Sequence, residues 1–253
     1  MMSRRSLLLA VLAAVAIPIA GCSTFSCGFG VEKTNPDGSI TSIYPNPGAT
    51  TPPGVSGREA SSTPTTKVDA RPRVVFLGDS LTAGLGLSPD QAYPTLLQQK
   101  ADADGLSFHI VNAGVSGDTS AGGLSRLDWA LEGDVRVMVV ALGGNDALRG
   151  LPVEELRKNL ATIIERAQAK KVRVILAGME APPNFGQSYT DAFRHVYTEL
   201  AAQYKVPLIP FLLQGVAGIE RLNQRDGIHP TAEGARMVAD NVWTVLRPML
   251  KTP

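Results

Sequence analysis

Five short apolar runs, with helical patterns between them, constrain what this chain can fold into. A short apolar run that ends at a turn signal is typical of a strand buried on both faces. Strands that alternate with amphipathic helices form βα units, which assemble into a parallel sheet with helices on both sides. In such open sheets, ligands bind beyond the carboxyl ends of the strands. The runs are Val74–Leu77, Phe108–Val111, Val135–Leu142, Val172–Ala177 and Pro207–Phe211.

Two of the intervening segments have a clear helical period. Pro152 stands where a helix can begin, and apolar residues recur at helical spacing after it. A similar stripe lies near the end of the chain. The two stripes are Leu156, Leu160, Ile163, Ile164 and Ala167, then Val238, Val242, Val245, Leu246 and Met249.

Composition excludes several classes of function. The formal net charge is only +1, and no clustered basic face is evident, so we expect no nucleic-acid partner. Cys22 and Cys27 are the two cysteines of the chain, and both precede the apolar runs. The domain that contains those runs therefore has no thiol nucleophile, and no cluster in it has the spacing of metal ligands.

The first 21 residues have the pattern of an export signal. Arg4 and Arg5 give a positive start, and the apolar run Leu7–Ala20 is shorter than the ~20 residues that span a membrane. The segment Ile19-Ala20-Gly21-Cys22 resembles the bacterial lipoprotein box, which implies cleavage before Cys22 and lipidation of its thiol. The alternative is a plain signal peptide followed by a chance cysteine.

This resemblance also implies a location. We expect a protein of the bacterial cell envelope, anchored to a membrane through lipid on Cys22 and facing the periplasm. Because Ser23 rather than aspartate follows the cysteine, the outer membrane is compatible with the sequence. Residues 22–70 are rich in Pro, Ser, Thr and Gly and predict a flexible tether, with a small hairpin allowed around Asn35-Pro36-Asp37-Gly38. The folded domain is then expected over residues 71–253, as a monomer.

Ser80 follows the first predicted strand, within Gly78-Asp79-Ser80-Leu81. A serine at a strand-to-helix turn is exposed at the edge of the sheet, next to helix amides that favour negative charge. Taken alone, this serine fits the cap of a helix better than a nucleophile.

His229 favours the interpretation of Ser80 as a nucleophile, because this histidine lies in a predicted loop with an acid three residues before it. Serine catalysis needs a base that takes the hydroxyl proton and an acid that orients the base. Asp226 and His229 in Asp226-Gly227-Ile228-His229-Pro230 fit those two roles. The other histidines fit less well, since His109 lies in a predicted strand and His195 on a predicted helix.

Two further loops follow predicted strands and carry hydrogen-bond donors. The segment from Asn112 to Thr119 contains Gly117, and Gly143-Gly144-Asn145-Asp146 offers a side-chain amide. Each loop alone is compatible with a simple glycine turn. We interpret Asp79, Asp118 and Asp146 as residues that stabilise these loops.

Together the four segments resemble the SGNH, or GDSL, hydrolase superfamily, in order and in spacing. The resemblance covers roughly residues 72–250 and is greatest to the bacterial branch of thioesterases, arylesterases and lysophospholipases. It implies a three-layer α/β/α, flavodoxin-like fold with a mostly parallel five-stranded sheet. It also implies an ester hydrolase with Ser80 as nucleophile, Asp226 and His229 completing the triad, and no cofactor or metal. The family's oxyanion donors correspond to the Ser80 amide, the Gly117 amide and the Asn145 side chain.

The substrate is less constrained than the chemistry. We expect a small-molecule or lipid ester, or a thioester, with four residues bordering its pocket: Arg149, Leu151, Pro182 and Phe185. One alternative is an O-deacetylase of polysaccharide or cell wall, which keeps the same chemistry. The other alternative is a surface lipoprotein that binds ligands without catalysis.

Overall fold

The computed structural model describes residues 33–34, 40–41 and 69–251, and the chain divides into two units, residues 1–64 and 65–253. In the first unit, strands β1 (Lys33–Thr34) and β2 (Ile40–Thr41) pair antiparallel, with Lys33 opposite Thr41. The turn signal between them lies outside the described residues. So do the predicted signal peptide, Cys22 and almost all of the predicted tether, which stay predictions.

The second unit is built on a parallel sheet of five strands, as the sequence predicts. Their order is β4-β3-β5-β6-β7, and every neighbouring pair is parallel. Residues 74–78 of β3 are all buried, which fits a sheet covered on both faces. The strands are β3 (Arg73–Gly78), β4 (His109–Gly114), β5 (Val135–Ala141), β6 (Arg173–Ala177) and β7 (Leu208–Ile209).

Helices cover the sheet and complete the three layers. Helix α2 packs against α8, and α6 packs against both α3 and α7. Among the described residues, no helix combines the length and the apolar character needed to cross a membrane. The helices are α1 (Ser80–Ala83), α2 (Tyr93–Ala103), α3 (Ser120–Ser125), α4 (Leu127–Ala130), α5 (Gly144–Leu148), α6 (Val153–Ala169), α7 (Gln187–Tyr204) and α8 (Ala232–Lys251).

Both predicted helical stripes face the core. Helix α6 begins directly after Pro152, and its five apolar positions are all buried. In α8, Val238, Val242 and Leu246 are buried, while Val245 and Met249 are partly buried against the same core. The period of the apolar residues therefore predicts correctly which face of each helix packs on the sheet.

The strand order places a switch point next to β3. The chain passes from β3 to β4 on one side and later to β5 on the other, so the connections after β3 and β5 leave in opposite directions. A crevice at such a point is the usual ligand site of an open α/β sheet. Gly78, Gly114 and Ala141 lie in register at the ends of the three strands, which brings the loops after them together.

Gly114 provides a test of how closely α1 approaches the end of β4. A Cβ on Gly114 would lie 2.2 Å from the Ala83 nitrogen and 2.7 Å from the Thr82 carbonyl carbon. Because both are backbone atoms, neither can move aside cheaply. We expect Gly114→Ala to lower the free energy of unfolding by about 3 kcal/mol, measured by urea denaturation. Gly105→Ala is the control, since its Cβ would meet nothing and only the positive φ should cost about 1 kcal/mol. Equal losses in the two variants would contradict the close packing of α1 on β4.

Candidate active site

Ser80 is the first residue of α1 and follows directly from β3. The cap of this helix is Asp79, whose Oδ1 accepts a hydrogen bond from the Leu81 amide at 3.0 Å. Ser80 is therefore not the cap of α1, and its side chain is available for another partner. That partner is His229, whose Nε2 lies 2.9 Å from Ser80 Oγ.

His229 is held by Asp226 on its other ring nitrogen. Its Nδ1 lies 2.7 Å from Asp226 Oδ2, while Asp226 Oδ1 accepts from the amides of Ile228 and His229 at 2.9 and 3.0 Å. These backbone hydrogen bonds, together with the His229 side chain, lower the pKa of Asp226 to about 2. A carboxylate that stays charged fixes the imidazole with Nε2 toward the serine, and such an arrangement can deprotonate a hydroxyl.

Gln224 stabilises the loop that carries the histidine, and no motif in the sequence points to this residue. Its backbone amide donates to the His229 carbonyl at 2.7 Å, and its side chain donates to the carbonyls of Pro230 and Leu85. The bond to Leu85 connects this loop to the segment after α1. A glutamine in a turn gives no local pattern that would reveal such a contact.

The other two histidines lie away from Ser80. His109 begins the edge strand β4 and lies 3.1 Å from Asp69, and His195 is exposed on α7. Their placement agrees with the elements predicted for them.

Gly117 lies on the loop that follows β4, and Asn145 lies at the start of the helix that follows β5. Gly117 has a φ of +86°, and its carbonyl accepts from Arg149 Nη2 at 2.8 Å. Asn145 is the second residue of α5, and its Nδ2 donates to the Asp118 carbonyl at 2.9 Å and lies 3.4 Å from Asp79 Oδ2. The Asn145 amide thus contacts both the segment next to Ser80 and the segment next to Gly117.

The three loop aspartates have different environments. Asp79 is buried, and this burial raises its pKa to about 6. Asp146 is also buried and accepts from the Ser120 amide and hydroxyl at 2.8 and 2.5 Å. Asp118 pairs with Arg126 at 2.6 Å rather than with nearby amides. Asp118 therefore stabilises its loop by an ion pair with Arg126.

A cavity of about 380 Å³ opens next to Ser80 and His229. Most of its lining is apolar, with Glu180 as a charged side chain at its border. The apolar side chains are Leu81, Leu148, Met179, Ala181, Pro182, Pro183, Phe211, Leu213, Ala217 and Ile228. A cavity of this size and character fits a small ligand with an apolar group.

Of the four predicted pocket residues, Pro182 lines this cavity. Arg149, Leu151 and Phe185 are not among its lining residues. The Leu151 carbonyl accepts from the Tyr189 hydroxyl at 2.9 Å, and the Phe185 ring lies 5.4 Å from the Tyr189 ring. Contacts of these three residues with a substrate stay a prediction.

Within residues 69–251, no group of three or more His, Cys, Asp or Glu side chains is arranged to hold a metal ion.

Comparison with known proteins identifies relatives over most of the second unit. The GDSL-like lipase/acylhydrolase family matches residues 76–237. Esterase TesA of Pseudomonas aeruginosa is 43% identical over 186 residues, which are 73% of this chain and 92% of that protein. Thioesterase 1/protease 1/lysophospholipase L1 of Escherichia coli is 36% identical, over 74% of this chain and 88% of its own. The crystal structure of the psychrotrophic esterase EstA from Pseudoalteromonas sp. superposes with a TM-score of 0.68 at 32% identity, covering 71% of this chain and 99% of that one.

The burial of Asp79 predicts a distinct pH dependence of stability. Its pKa rises from 3.8 in its ordinary environment to about 6 in the folded protein, so the folded state binds the proton more tightly than the unfolded state. The stability that this group contributes is therefore present below pH 4 and is lost as the pH rises to about 6, by about 3 kcal/mol.

Asp79→Asn should abolish this loss. The free energy of unfolding is measured in urea from pH 4 to 7. As the pH rises over this range, wild type should lose stability relative to Asp79→Asn. Asp104→Asn is the control: Arg247 lowers the pKa of Asp104, so the stability that Asp104 contributes is lost only below about pH 4, and its difference from wild type should stay nearly constant over this range. A difference for Asp79→Asn that does not change with pH would contradict the effect of burial.

Proposed function

Because this chain belongs to the GDSL-like lipase/acylhydrolase family and is an ester-hydrolysing serine hydrolase, we propose that Ser80 is its nucleophile. His229 is then the general base and Asp226 the residue that orients it. The observation that carries this proposal is the continuous set of hydrogen bonds from Asp226 Oδ2 through His229 to Ser80 Oγ, at 2.7 and 2.9 Å.

The mechanism follows from this order of groups. His229 Nε2 takes the Ser80 proton as Oγ attacks the carbonyl carbon of the ester. The resulting imidazolium is stabilised by the Asp226 carboxylate, and it then protonates the leaving alcohol or thiol. Water, deprotonated by His229 in the same way, releases the acid from the acyl-enzyme and restores Ser80.

The negative oxygen of the tetrahedral intermediate needs donors, and three groups are available for it. The Ser80 amide belongs to the first turn of α1, where backbone N–H groups have no acceptor inside the helix. The Gly117 amide and the Asn145 side chain complete the set. Asn145 Nδ2 now donates to the Asp118 carbonyl, and this contact directs the amide toward the segment that holds Gly117.

The lining of the cavity favours an apolar acyl or aryl group in the substrate. Leu148, Met179 and Phe211 would contact such a group, whereas the hydroxyls of an acetylated sugar would depend on the minority of polar side chains in the lining, among them Glu180 and Asn223. We therefore favour lipid, aryl or acyl-thioester substrates over the alternative of an O-deacetylase. A ligand-binding protein without catalysis does not explain the aligned serine, histidine and aspartate.

For the location, we propose that the enzyme is attached to the bacterial cell envelope through lipid on Cys22. The support is the run Leu7–Ala20 followed by Ala20-Gly21-Cys22. Several acyl chains on one cysteine hold a protein on a membrane far more strongly than a single chain does. The Pro-, Ser- and Thr-rich residues up to 70 would then separate the enzyme from the membrane surface.

Ser80→Ala tests the nucleophile. The full chain should hydrolyse p-nitrophenyl esters, with higher kcat/KM for apolar acyl groups than for acetate, because of the apolar cavity. Ser80→Ala should lower kcat by about 10⁴-fold or more, since within residues 69–251 no other hydroxyl is hydrogen-bonded to His229. Ser107→Ala, at an exposed position, is the control and should behave as wild type. Full activity of a folded Ser80→Ala enzyme would exclude Ser80 as the nucleophile.

Cys22→Ser tests the anchor. When the whole chain is expressed in a bacterium, wild type should partition into detergent and sediment with membranes, and its mature N-terminal peptide should carry lipid in mass spectrometry. The Cys22→Ser variant should lose the lipid, whereas Cys27→Ser should keep it. Equal lipid content in wild type and Cys22→Ser would contradict the proposal.

A further inference from the structure

Arg126 lies directly behind the loops that carry the three amide donors. It follows α3, and its Nε donates to Asp118 Oδ2 at 2.6 Å. Its Nη2 donates to the Gly78 carbonyl at 2.8 Å, at the end of β3 and two residues before Ser80. One planar guanidinium therefore connects the strand that leads to Ser80 with the residue that follows Gly117.

The Gly78 carbonyl has a second donor, which strengthens this connection. The Val115 amide donates to the same oxygen at 3.0 Å. The loop from Val115 to Asp118 is thus attached to the end of β3 at both of its ends, directly through Val115 and through Arg126 at Asp118. Gly117 lies between these two attachments.

Asp118 passes the constraint on to Asn145. Its carboxylate is held by Arg126, and its carbonyl accepts from Asn145 Nδ2 at 2.9 Å. The Asp118 side chain also packs closely on Gly122, where an added Cβ would lie 2.7 Å from Oδ1. A displacement of Asp118 would therefore move the Gly117 amide and release the Asn145 amide together.

The energetics indicate that Arg126 is not there mainly for stability. The side chains of Arg126 and Asp118 are each only 17% exposed, so both charges have lost most of their water. Arg126 Nη1 is buried and has no acceptor among the described residues. Pairs of this kind gain little over an apolar replacement because desolvation offsets their attraction. The planar fork, however, fixes the directions of two acceptors at once.

We infer that Arg126 is a positioning residue of the oxyanion hole. It holds Asp118 against the end of β3, and through Asp118 it keeps the Gly117 amide and the Asn145 side chain directed at the oxygen that develops next to Ser80. This inference rests on the proposed function, because it needs Ser80 to be the nucleophile. Arg126 itself need not contact the substrate.

The test measures whether Arg126 acts through the donors. Arg126→Met should lower kcat by about 10- to 100-fold with KM within about twofold, because a misplaced donor weakens the transition state more than the bound ester. Asn145→Ala should lower kcat by about 10²- to 10³-fold. In the Asn145→Ala background, Arg126→Met should cost about threefold less than it costs in wild type, since one of its targets is already absent.

A matched control separates positioning from stability. Arg247→Met removes a guanidinium that pairs with Asp104 at 2.5 Å, far from the loops in question, and should leave kcat unchanged. Arg126→Lys retains the charge without the fork and should recover only part of the lost kcat. If Arg126→Met does not fold, Arg126→Lys and Asp118→Asn carry the same double-mutant analysis. The melting temperature of each variant shows that the protein assayed is folded.

The outcomes are distinct. The inference is overturned if Arg126→Met or Arg126→Lys has the kcat of wild type, or if the fold-losses of Arg126→Met and Asn145→Ala multiply fully in the double variant. In either case Ser80→Ala would still be inactive, so the proposed function would stand. Activity retained in Ser80→Ala would instead overturn the proposed function. A loss in Arg126→Met that shrinks in the Asn145→Ala background supports the positioning role.

Discussion

The hydrogen bond between His229 and Ser80 is the contact on which the site depends. It joins residues 149 positions apart in the sequence, at 2.9 Å. The sheet makes this approach feasible, because Ser80 leaves the carboxyl end of β3 at the switch point and the loop before α8 returns to the same edge. The Gln224 side chain donates a hydrogen bond from that loop to the Leu85 carbonyl. The segment that follows α1 therefore helps to position the histidine.

Carboxylates in contrasting environments surround this hydrogen bond. Asp226 accepts three hydrogen bonds and stays charged, which is what an orienting acid requires. Asp79, only one residue from Ser80, is buried and holds its proton more readily. Asp118 is neutralised by the Arg126 guanidinium. All three residues are aspartates, and both the burial of each carboxylate and the donors around it decide its role.

Much of this arrangement could be predicted from the sequence, and the missing part has a physical reason. Apolar runs and helical stripes predict the five strands and the buried faces of α6 and α8, because the spacing of apolar residues along the chain reflects which positions face the core. The residues of the proposed triad are predicted from motifs that resemble those of the family. No local pattern predicts the contacts of Arg126, Gln224 and Tyr189, because their side chains donate to backbone carbonyls that are distant in the sequence. The cap of α1 is Asp79, the neighbour of Ser80, and the sequence alone does not decide between these two residues.

Covalent labelling with an alkyl p-nitrophenyl phosphonate tests the central claim most directly. An activated serine attacks its phosphorus and displaces p-nitrophenolate, and the charge that develops on the phosphoryl oxygen needs the same donors. After incubation of the full chain, peptide mass spectrometry should locate one adduct on Ser80, and His229→Ala should form it far more slowly. An adduct on another serine, or ester hydrolysis that continues while Ser80 stays fully labelled, would contradict the account.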